Sequence, residues 1–409
     1  MVIKKSQEQK IKEALSKHID SIYPSKEALE NVLKSGKKLT IYWGIDPTSP
    51  HIHLAHATNL FVLRRLQNLG HRIIVLIGDF TARIGDPSGR DKGRIVLNEK
   101  DVEKNLKNYK KMVLKILNSQ KTLFKFNSEW WGKMSAADLL ALDDLVTHQQ
   151  IIEREMFQKR ITEKNPVSVR EMQYPLIQGY DSVALKTDIE IGGTDQLFNM
   201  LMGRELEKVL LKKEKFVITT PLLENPNTGR KIMSKSEGNY ISMDDKPADM
   251  FGKVMALPDE VILICFKLLT DLDEKRLVEI EIRVMADENP RDIKADLALE
   301  IVKLYNGETK ARQAAEEFER VFKKHELPKN IEEVPIPKEV SITIKERNIV
   351  ELLMQLHFTP SRSQARRLVL ANAVKVDNKV INDPNVRINV VSGMIVQVGK
   401  RHFKKIKVK

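Results

Sequence analysis

The sequence predicts an α/β chain: a Rossmann-type doubly wound parallel sheet first, an α-helical bundle next, and a small basic α+β module last. Three observations carry this expectation. Residues 39–45 and 73–77 are continuous apolar runs, and between them Leu60, Leu63 and Leu66 recur at helical spacing before Gly70. A strand, helix, strand unit with fully apolar strands is what a parallel sheet covered on both faces requires. From about 245 to 325 the pattern is wholly helical. Finally, residues 341–409 hold 14 Lys/Arg against 4 Asp/Glu, so +10 of the net charge of +13 sits at the C-terminal end.

Taken in order, residues 39–78 form the first strand, helix, strand unit, and later strands are expected at 188–191 and 216–220. Val102, Leu106, Tyr109, Val113 and Leu117 predict one helix over 98–118, capped by Asn98 with Asp101 at its third position. This helix opens an insertion over about 95–170 within a catalytic domain spanning 1–240, whose end, 226–240, is a Lys/Ser-rich mobile loop. The helical domain follows over 241–325, where Asn289-Pro290 caps a helix through Ile293, Leu297, Ile301 and Leu304 that stops at Gly307. Pro328, Pro335 and Pro337 mark residues 326–343 as a semi-rigid linker. Within 344–409 a short capped helix at 361–370 places Arg362 and Arg366 on one face, and Val374, Val376 and Val380 alternate around an Asp-Asn turn.

At 409 residues and 42% hydrophobic content, the chain supports about three cored domains. No segment is apolar for long enough to span a membrane, the first residues lack the apolar run of a secretory signal, and a single cysteine, Cys265, excludes a disulfide framework. The chain reads as cytoplasmic. The basic C-terminal end has the charge of a surface that faces a polyanion, whereas the nearly neutral remainder suits an enzyme body.

Two motifs point to nucleotide chemistry. His53-Leu-Ala-His56 stands where a buried strand turns into a helix, and Gly229-Arg-Lys-Ile-Met-Ser-Lys-Ser-Glu-Gly-Asn239 follows far downstream. Neither a Gly-x-x-x-x-Gly-Lys-Ser/Thr loop nor a Gly-x-Gly-x-x-Gly is present. Phosphate is therefore left to a helix N-terminus, with its unpaired N–H groups and positive dipole end, and to histidine donors. Alone, each motif has an ordinary explanation, a capping pair or a solvated loop. Asp46 and Asp86 likewise precede prolines and read as turn formers, Tyr174 reads as a core aromatic, Gly192-Gly193 reads as a strand-end turn, and Trp130 and Trp131 are expected to pack in the insertion or at a subunit contact.

Jointly and in this order, the motifs resemble the signatures of class I aminoacyl-tRNA synthetases, His-x-Gly-His and Lys-Met-Ser-Lys-Ser. Two departures stand out: Ala55 replaces glycine, and Ile232 replaces the first lysine, with Lys231 one place upstream. The blocks at 42–48, 84–89, 174–181 and 192–196 are similar to the tyrosyl branch, and the resemblance covers nearly the whole chain. It implies activation of tyrosine by ATP and transfer to tRNA, with Mg²⁺ accompanying ATP, no tightly bound cofactor or resident metal, no membrane partner, and a homodimer.

By this resemblance Thr48, His53, His56, Lys235, Arg90 and Arg94 serve the triphosphate. Asp46, Ala55, Gly192, Gly193, Asp195, Met233, Ser234, Lys235 and Ser236 bind ATP, with Gly193 and Asp195 facing the ribose. The ammonium falls to Asp86, Tyr174 and Gln178 and the phenol to Tyr42 and Asp181, with Gln196 also binding the tyrosine. Glu190 stands where many relatives carry glutamine. The C-terminal module resembles the RNA-binding domain of small ribosomal subunit protein S4, with Arg362, Arg366, Arg367, Lys400 and Arg401 as RNA contacts, and the helical domain is the expected anticodon reader. Two alternatives stay open on the sequence: a tryptophanyl enzyme of the same fold, and a non-catalytic RNA-binding protein on this scaffold.

Overall fold

The apolar run at 39–45 forms the middle of a six-stranded sheet in the computed structural model, which describes residues 6–88, 97–233, 240–322, 331–336, 346–399 and 402–408. The strands are β1 (Ser21–Tyr23), β2 (Thr40–Ile45), β3 (Arg72–Ile77), β4 (Thr122–Phe126), β5 (Ile189–Gly193) and β6 (Phe216–Thr220), in the order β1-β6-β5-β2-β3-β4. All neighbours run parallel except β1 against β6. Ile73 to Ile77 are buried without a break, as a strand covered on both faces demands. The chain runs outward from β2 to β3 and β4, then returns to the other side of β2 for β5 and β6. The order thus reverses between β2 and β5, and a crevice opens at their carboxyl ends.

The helix Ala57–Asn68 connects β2 to β3 and buries Leu60, Leu63 and Leu66 as expected. Asn98 caps the next helix reciprocally with Asp101, but the helix expected over 98–118 is two, Glu99–Leu106 and Tyr109–Val113. The break coincides with two anchors that bind the loop after β2: Asn105 Nδ2 donates to the Pro47 carbonyl at 2.8 Å and the Tyr109 hydroxyl to the Ser49 carbonyl at 2.8 Å. Tertiary bonds to the site loop override helical periodicity here.

Packing divides the chain into two units, Met1–Asp245 with Val254–Glu308, and Lys246–Lys253 with Thr309–Lys409. The division expected near 240 is therefore not where the chain parts. Helices Ile262–Leu269, Glu274–Met285 and Pro290–Asn306 belong to the sheet-bearing unit. One reason is visible in polar links across it: Arg65 donates to Asp271 at 2.9 Å, and His18 Nε2 lies 3.0 Å from the Thr270 carbonyl. Asn289 caps the last of these helices, which ends at Gly307 with φ +86° as the sequence predicts.

In the second unit, β7 (Glu332–Ile336), β8 (Glu346–Asn348), β9 (Val374–Val376), β10 (Lys379–Ile381), β11 (Arg387–Asn389), β12 (Ile395–Val398) and β13 (His402–Val408) form a five-stranded sheet, β10-β9-β12-β13-β7, and a β8-β11 ribbon. Asp377 and Asn378 both have positive φ, the conformation of a type I′ hairpin turn. The linker expectation for 326–343 needs correction. Within it, β7 pairs parallel with β13, and Pro335 is tolerated because β7 is an edge strand. The pairing sets Glu333 3.2 Å from Lys405, a match of charge that the linker reading did not see.

Helices Val169–Leu185 and Leu197–Leu211 approach closely at Gly179 and Gly203. A Cβ on Gly203 would lie 2.7 Å from both Lys215 Nζ and Ser182 Oγ and 3.1 Å from the Gly179 carbonyl. Gly203→Ala is expected to destabilise the protein by about 1–3 kcal/mol through overpacking, read as a lower urea midpoint; an unchanged midpoint contradicts this account of the packing.

Candidate active site

A cavity of about 320 Å³ occupies the crevice at the carboxyl ends of β2 and β5. It gathers Tyr42, Asp46, Thr48, His53, Ala55, His56, Asp86, Tyr174, Gln178, Asp181, Gly192, Gly193, Asp195, Gln196 and Met233 from segments far apart in sequence. Arg90, Arg94, Ser234, Lys235, Ser236, Lys400 and Arg401 lie outside the described residues.

At one end, the chain leaves β2 through Asp46. Asp46 Oδ1 accepts from Thr81 at 2.7 Å and Oδ2 from the Tyr174 hydroxyl at 2.9 Å. A Cβ on Gly78 would fall 2.0 Å from Asp46 Oδ1, so only glycine admits this carboxylate. Tyr174, expected at the ammonium, is therefore also a brace for Asp46.

His53 and His56 flank a single 3₁₀ turn, Leu54–His56, and their rings stack with centroids 4.1 Å apart. The flank of the Lys/Ser loop is bound directly to this motif. Leu54 N–H donates to the Ile241 carbonyl at 2.9 Å, Met243 N–H to the Ile52 carbonyl at 2.9 Å, and His51 Nδ1 lies 3.0 Å from Asp244. On the loop's other flank, Glu224 and Lys231 form a bridge. Ile232 is buried, while Lys231 lines the cavity and pairs with Asp195 at 3.2 Å. The departure at 232 thus reads physically: isoleucine fills a core position and its neighbour carries the charge into the cavity. Burial pushes the Asp195 carboxyl up, with Lys231 opposing.

The second polar group of the pocket centres on Asp86. Its Oδ1 accepts from Ser88 N–H at 2.9 Å and its Oδ2 from Gln196 Nε2 at 2.9 Å, while Asn199 Nδ2 donates to Gln178 Oε1 at 2.9 Å. Arg154 donates to Ser88 Oγ at 3.1 Å and stacks over Phe198 at 4.5 Å. Burial lowers its guanidinium to about 10, against the raising influence of Asp86. Asn199 and Arg154 were not expected from sequence. Asn199 was within reach, since it follows Gln196 by three residues on a helix and shares its face.

The third polar group is the most deeply buried. Asp181 Oδ1 accepts from Trp130 Nε1 at 2.9 Å and Trp131 Nε1 at 3.0 Å, and Oδ2 from Asn127 Nδ2 at 3.2 Å. The tryptophans, expected to pack in the insertion or at a subunit contact, are instead the donors that hold this carboxyl. Burial is the largest influence on Asp181 and raises it to about 8, against the three donors. The Tyr42 hydroxyl lies 2.8 Å from Ser182 Oγ, and burial raises its ionisation well above that of free tyrosine. Behind Ser182, Lys215 and Glu190 form an ion pair with essentially no exposure.

In the second unit, Arg362, Arg366 and Arg367 are all exposed on the helix Arg362–Leu370, with Arg362 3.1 Å from Glu351. No cluster of three or more His, Cys, Asp or Glu that could hold a metal occurs among the described residues. No helix among them is long and apolar enough to cross a membrane.

A doubly wound sheet with a two-histidine turn and a Lys-bearing loop at its crevice defines a nucleotide-using class I catalytic body. The family model for tRNA synthetases class I (W and Y) matches residues 34–323, and the S4 domain model matches 347–396. The chain belongs to the class I tRNA synthetases of this tryptophanyl and tyrosyl group. It is 41% identical over 394 residues to a tyrosine–tRNA ligase of Thermotoga maritima, covering 96% of each chain. It is 42% identical over 402 residues to one of Carboxydothermus hydrogenoformans, covering 96% of this chain and 97% of that one. Its fold resembles a truncated mitochondrial tyrosyl-tRNA synthetase of Aspergillus nidulans, with TM-score 0.64, 22% identity, and 78% and 95% of the two chains covered. It also resembles the Archaeoglobus fulgidus tyrosyl-tRNA synthetase complexed with L-tyrosine, with TM-score 0.59, 23% identity, and 76% and 100% covered.

Because the folded Asp181 titrates near 8 rather than at its ordinary 3.8, the folded state keeps a proton that the unfolded chain releases between those values. Its contribution is complete below the lower value and is lost as pH rises through the higher one. The stability of Asp181→Asn relative to the wild type is therefore expected to rise between about pH 5 and about pH 8, followed by urea unfolding; a difference that does not vary with pH contradicts a proton held on Asp181.

Proposed function

We propose that the chain is a tyrosine–tRNA ligase that forms tyrosyl-adenylate and pyrophosphate from tyrosine and ATP, then transfers tyrosine to the 3′-terminal adenosine of tRNA(Tyr). The observation that carries this reading is that one cavity is lined both by a pair of oxygen groups, Tyr42 and Asp181, and by a second polar set at Asp86, Gln178 and Gln196. Two such polar sets suit a phenol and an ammonium on one small molecule. A pocket built to bond a phenolic hydroxyl rejects phenylalanine because its own polar groups are left unpaired, by about 10⁵, a magnitude already known for tyrosyl enzymes and carried over from them. No editing step is then needed.

Activation needs no general base, since an amino-acid carboxylate is ionised at neutral pH and attacks the α-phosphorus directly. Catalysis is a matter of position and charge. As pyrophosphate leaves, negative charge grows on its oxygens, and preorganised donors lower the barrier by bonding it more strongly than ground-state ATP. Thr48, His53, His56, Lys235, Arg90 and Arg94 take that role, with Mg²⁺ arriving on the ATP. Asp46, Ala55, Gly192, Gly193, Asp195, Met233, Ser234 and Ser236 seat the nucleotide, with Asp195 towards the ribose. Lys231, paired with Asp195 at the cavity wall, is the cation that stands in for the missing first loop lysine.

The arginines at 362, 366 and 367, with Lys400 and Arg401, hold tRNA backbone, and the helical domain over 241–325 reads the anticodon. The enzyme works in the cytoplasm as a homodimer. The exposed Leu123 and Phe126 on the edge strand β4, with Leu140 nearby in sequence, support such a contact.

The reading is tested by amino-acid-dependent exchange of labelled pyrophosphate into ATP. Exchange with tyrosine alone is expected, and folded protein inert with every amino acid refutes the reading. Lys235→Ala should slow exchange about 100-fold with tyrosine affinity nearly unchanged, because the lysine acts on the transition state; an unaltered rate removes Lys235 from the site. Replacing Arg362, Arg366 and Arg367 with alanine should lower the log–log salt slope of tRNA binding by about 1 per arginine, and an unchanged slope places the RNA contacts elsewhere.

A further inference from the structure

Lys215 lies in the run Lys212-Lys-Glu-Lys215, which reads as solvated surface, yet it is wholly buried beside the amino-acid pocket. Its ammonium has three protons and no lone pair. It donates to Ser182 Oγ at 2.7 Å and, through a short bond, to Glu190 Oε2. Space for it exists only because residue 203 is glycine. Ser182 Oγ accepts from Lys215 and has one proton for two neighbours, the Tyr42 oxygen at 2.8 Å and Glu190 Oε2 at 3.2 Å, of which the carboxylate can only accept. With that proton on Glu190, Ser182 offers Tyr42 a lone pair and the Tyr42 hydroxyl is the donor in their 2.8 Å contact. Lys215 also stands 6.0 Å above the Tyr42 ring, which holds the ring and the ammonium in one arrangement.

We propose that Lys215 and Glu190 are positioning residues for substrate recognition: through Ser182 they turn the Tyr42 proton away from the cavity and leave the Tyr42 oxygen facing the ligand as a hydrogen-bond acceptor. This rests on the tyrosine reading above. The phenol of the substrate then donates to Tyr42, and its oxygen accepts from the carboxyl of Asp181, which burial keeps protonated. Truncating one member of a buried ion pair strands the other charge at large cost, whereas replacing both with apolar groups is tolerated. The informative variants are thus the double Lys215→Met/Glu190→Leu and the single Ser182→Ala. Each frees Tyr42 to donate into the pocket.

The probe is 4-aminophenylalanine, whose para amino group has two N–H donors and a weakly basic lone pair. A pocket with Tyr42 as acceptor takes it; a pocket with Tyr42 as donor disfavours it relative to tyrosine. In pyrophosphate exchange the wild type is expected to activate both amino acids. The ratio of kcat/KM for 4-aminophenylalanine over tyrosine should fall about tenfold in each folded variant, corresponding to about 1.4 kcal/mol. General loosening of the pocket lowers both values together and leaves the ratio in place. Wild-type exchange with tyrosine but none with 4-aminophenylalanine, or an unchanged ratio in the folded variants, overturns the proposal. Absence of wild-type exchange with tyrosine overturns the tyrosine reading instead. If the double variant does not fold, Ser182→Ala decides alone.

Discussion

The pairing of β2 with β5 is the constraint on which the site depends. It places the reversal of strand order between them, and cavity residues issue from the carboxyl ends around that point: Asp46 after β2, Gly78 after β3, Gly192 and Gly193 at the end of β5. Asp46 then ties these ends together through Thr81 and Tyr174. Asn127 joins in, donating to Thr81 at 3.0 Å as well as to Asp181. A shift of one strand would displace several of these groups together, which is why a parallel sheet is a suitable mount for the cavity.

The two motifs that point to nucleotide chemistry are parts of one structure. Backbone bonds from residues 52 to 54 to residues 241 to 243 fasten the loop's exit to the histidine turn, and Lys115 Nζ adds a 2.7 Å bond to the Met243 carbonyl. Lys231 shows what the anchoring achieves, since the bridge to Glu224 sets its side chain into the cavity.

Much of this was legible in sequence where one physical requirement acts alone. Apolar continuity at 73–77 reported double-sided burial, Asn98 with Asp101 reported a capping box, and Asp377-Asn378 reported a hairpin turn. Legibility failed where tertiary partners decide. The loop at 47–49 claims Asn105 and Tyr109, and the expected single helix becomes two. Strand β13 recruits 332–336 from an apparent linker. Of the site, the motif residues were readable, but the groups that orient them were not. Two indole N–H groups adjacent in sequence say nothing about a carboxylate at 181, and a lysine in a charged run gives no sign of burial under a glycine at 203. Such supporting residues are set by geometry across the fold rather than by local pattern.

The central claim is a pocket built in advance for an amino acid with a phenol, before ATP or tRNA arrives. Calorimetric titration of the folded protein with L-tyrosine alone, in parallel with L-tryptophan, tests it most directly. Saturable binding of tyrosine without ATP, and none of tryptophan, is the result this account predicts. No heat with tyrosine, or equal binding of tryptophan, would contradict it.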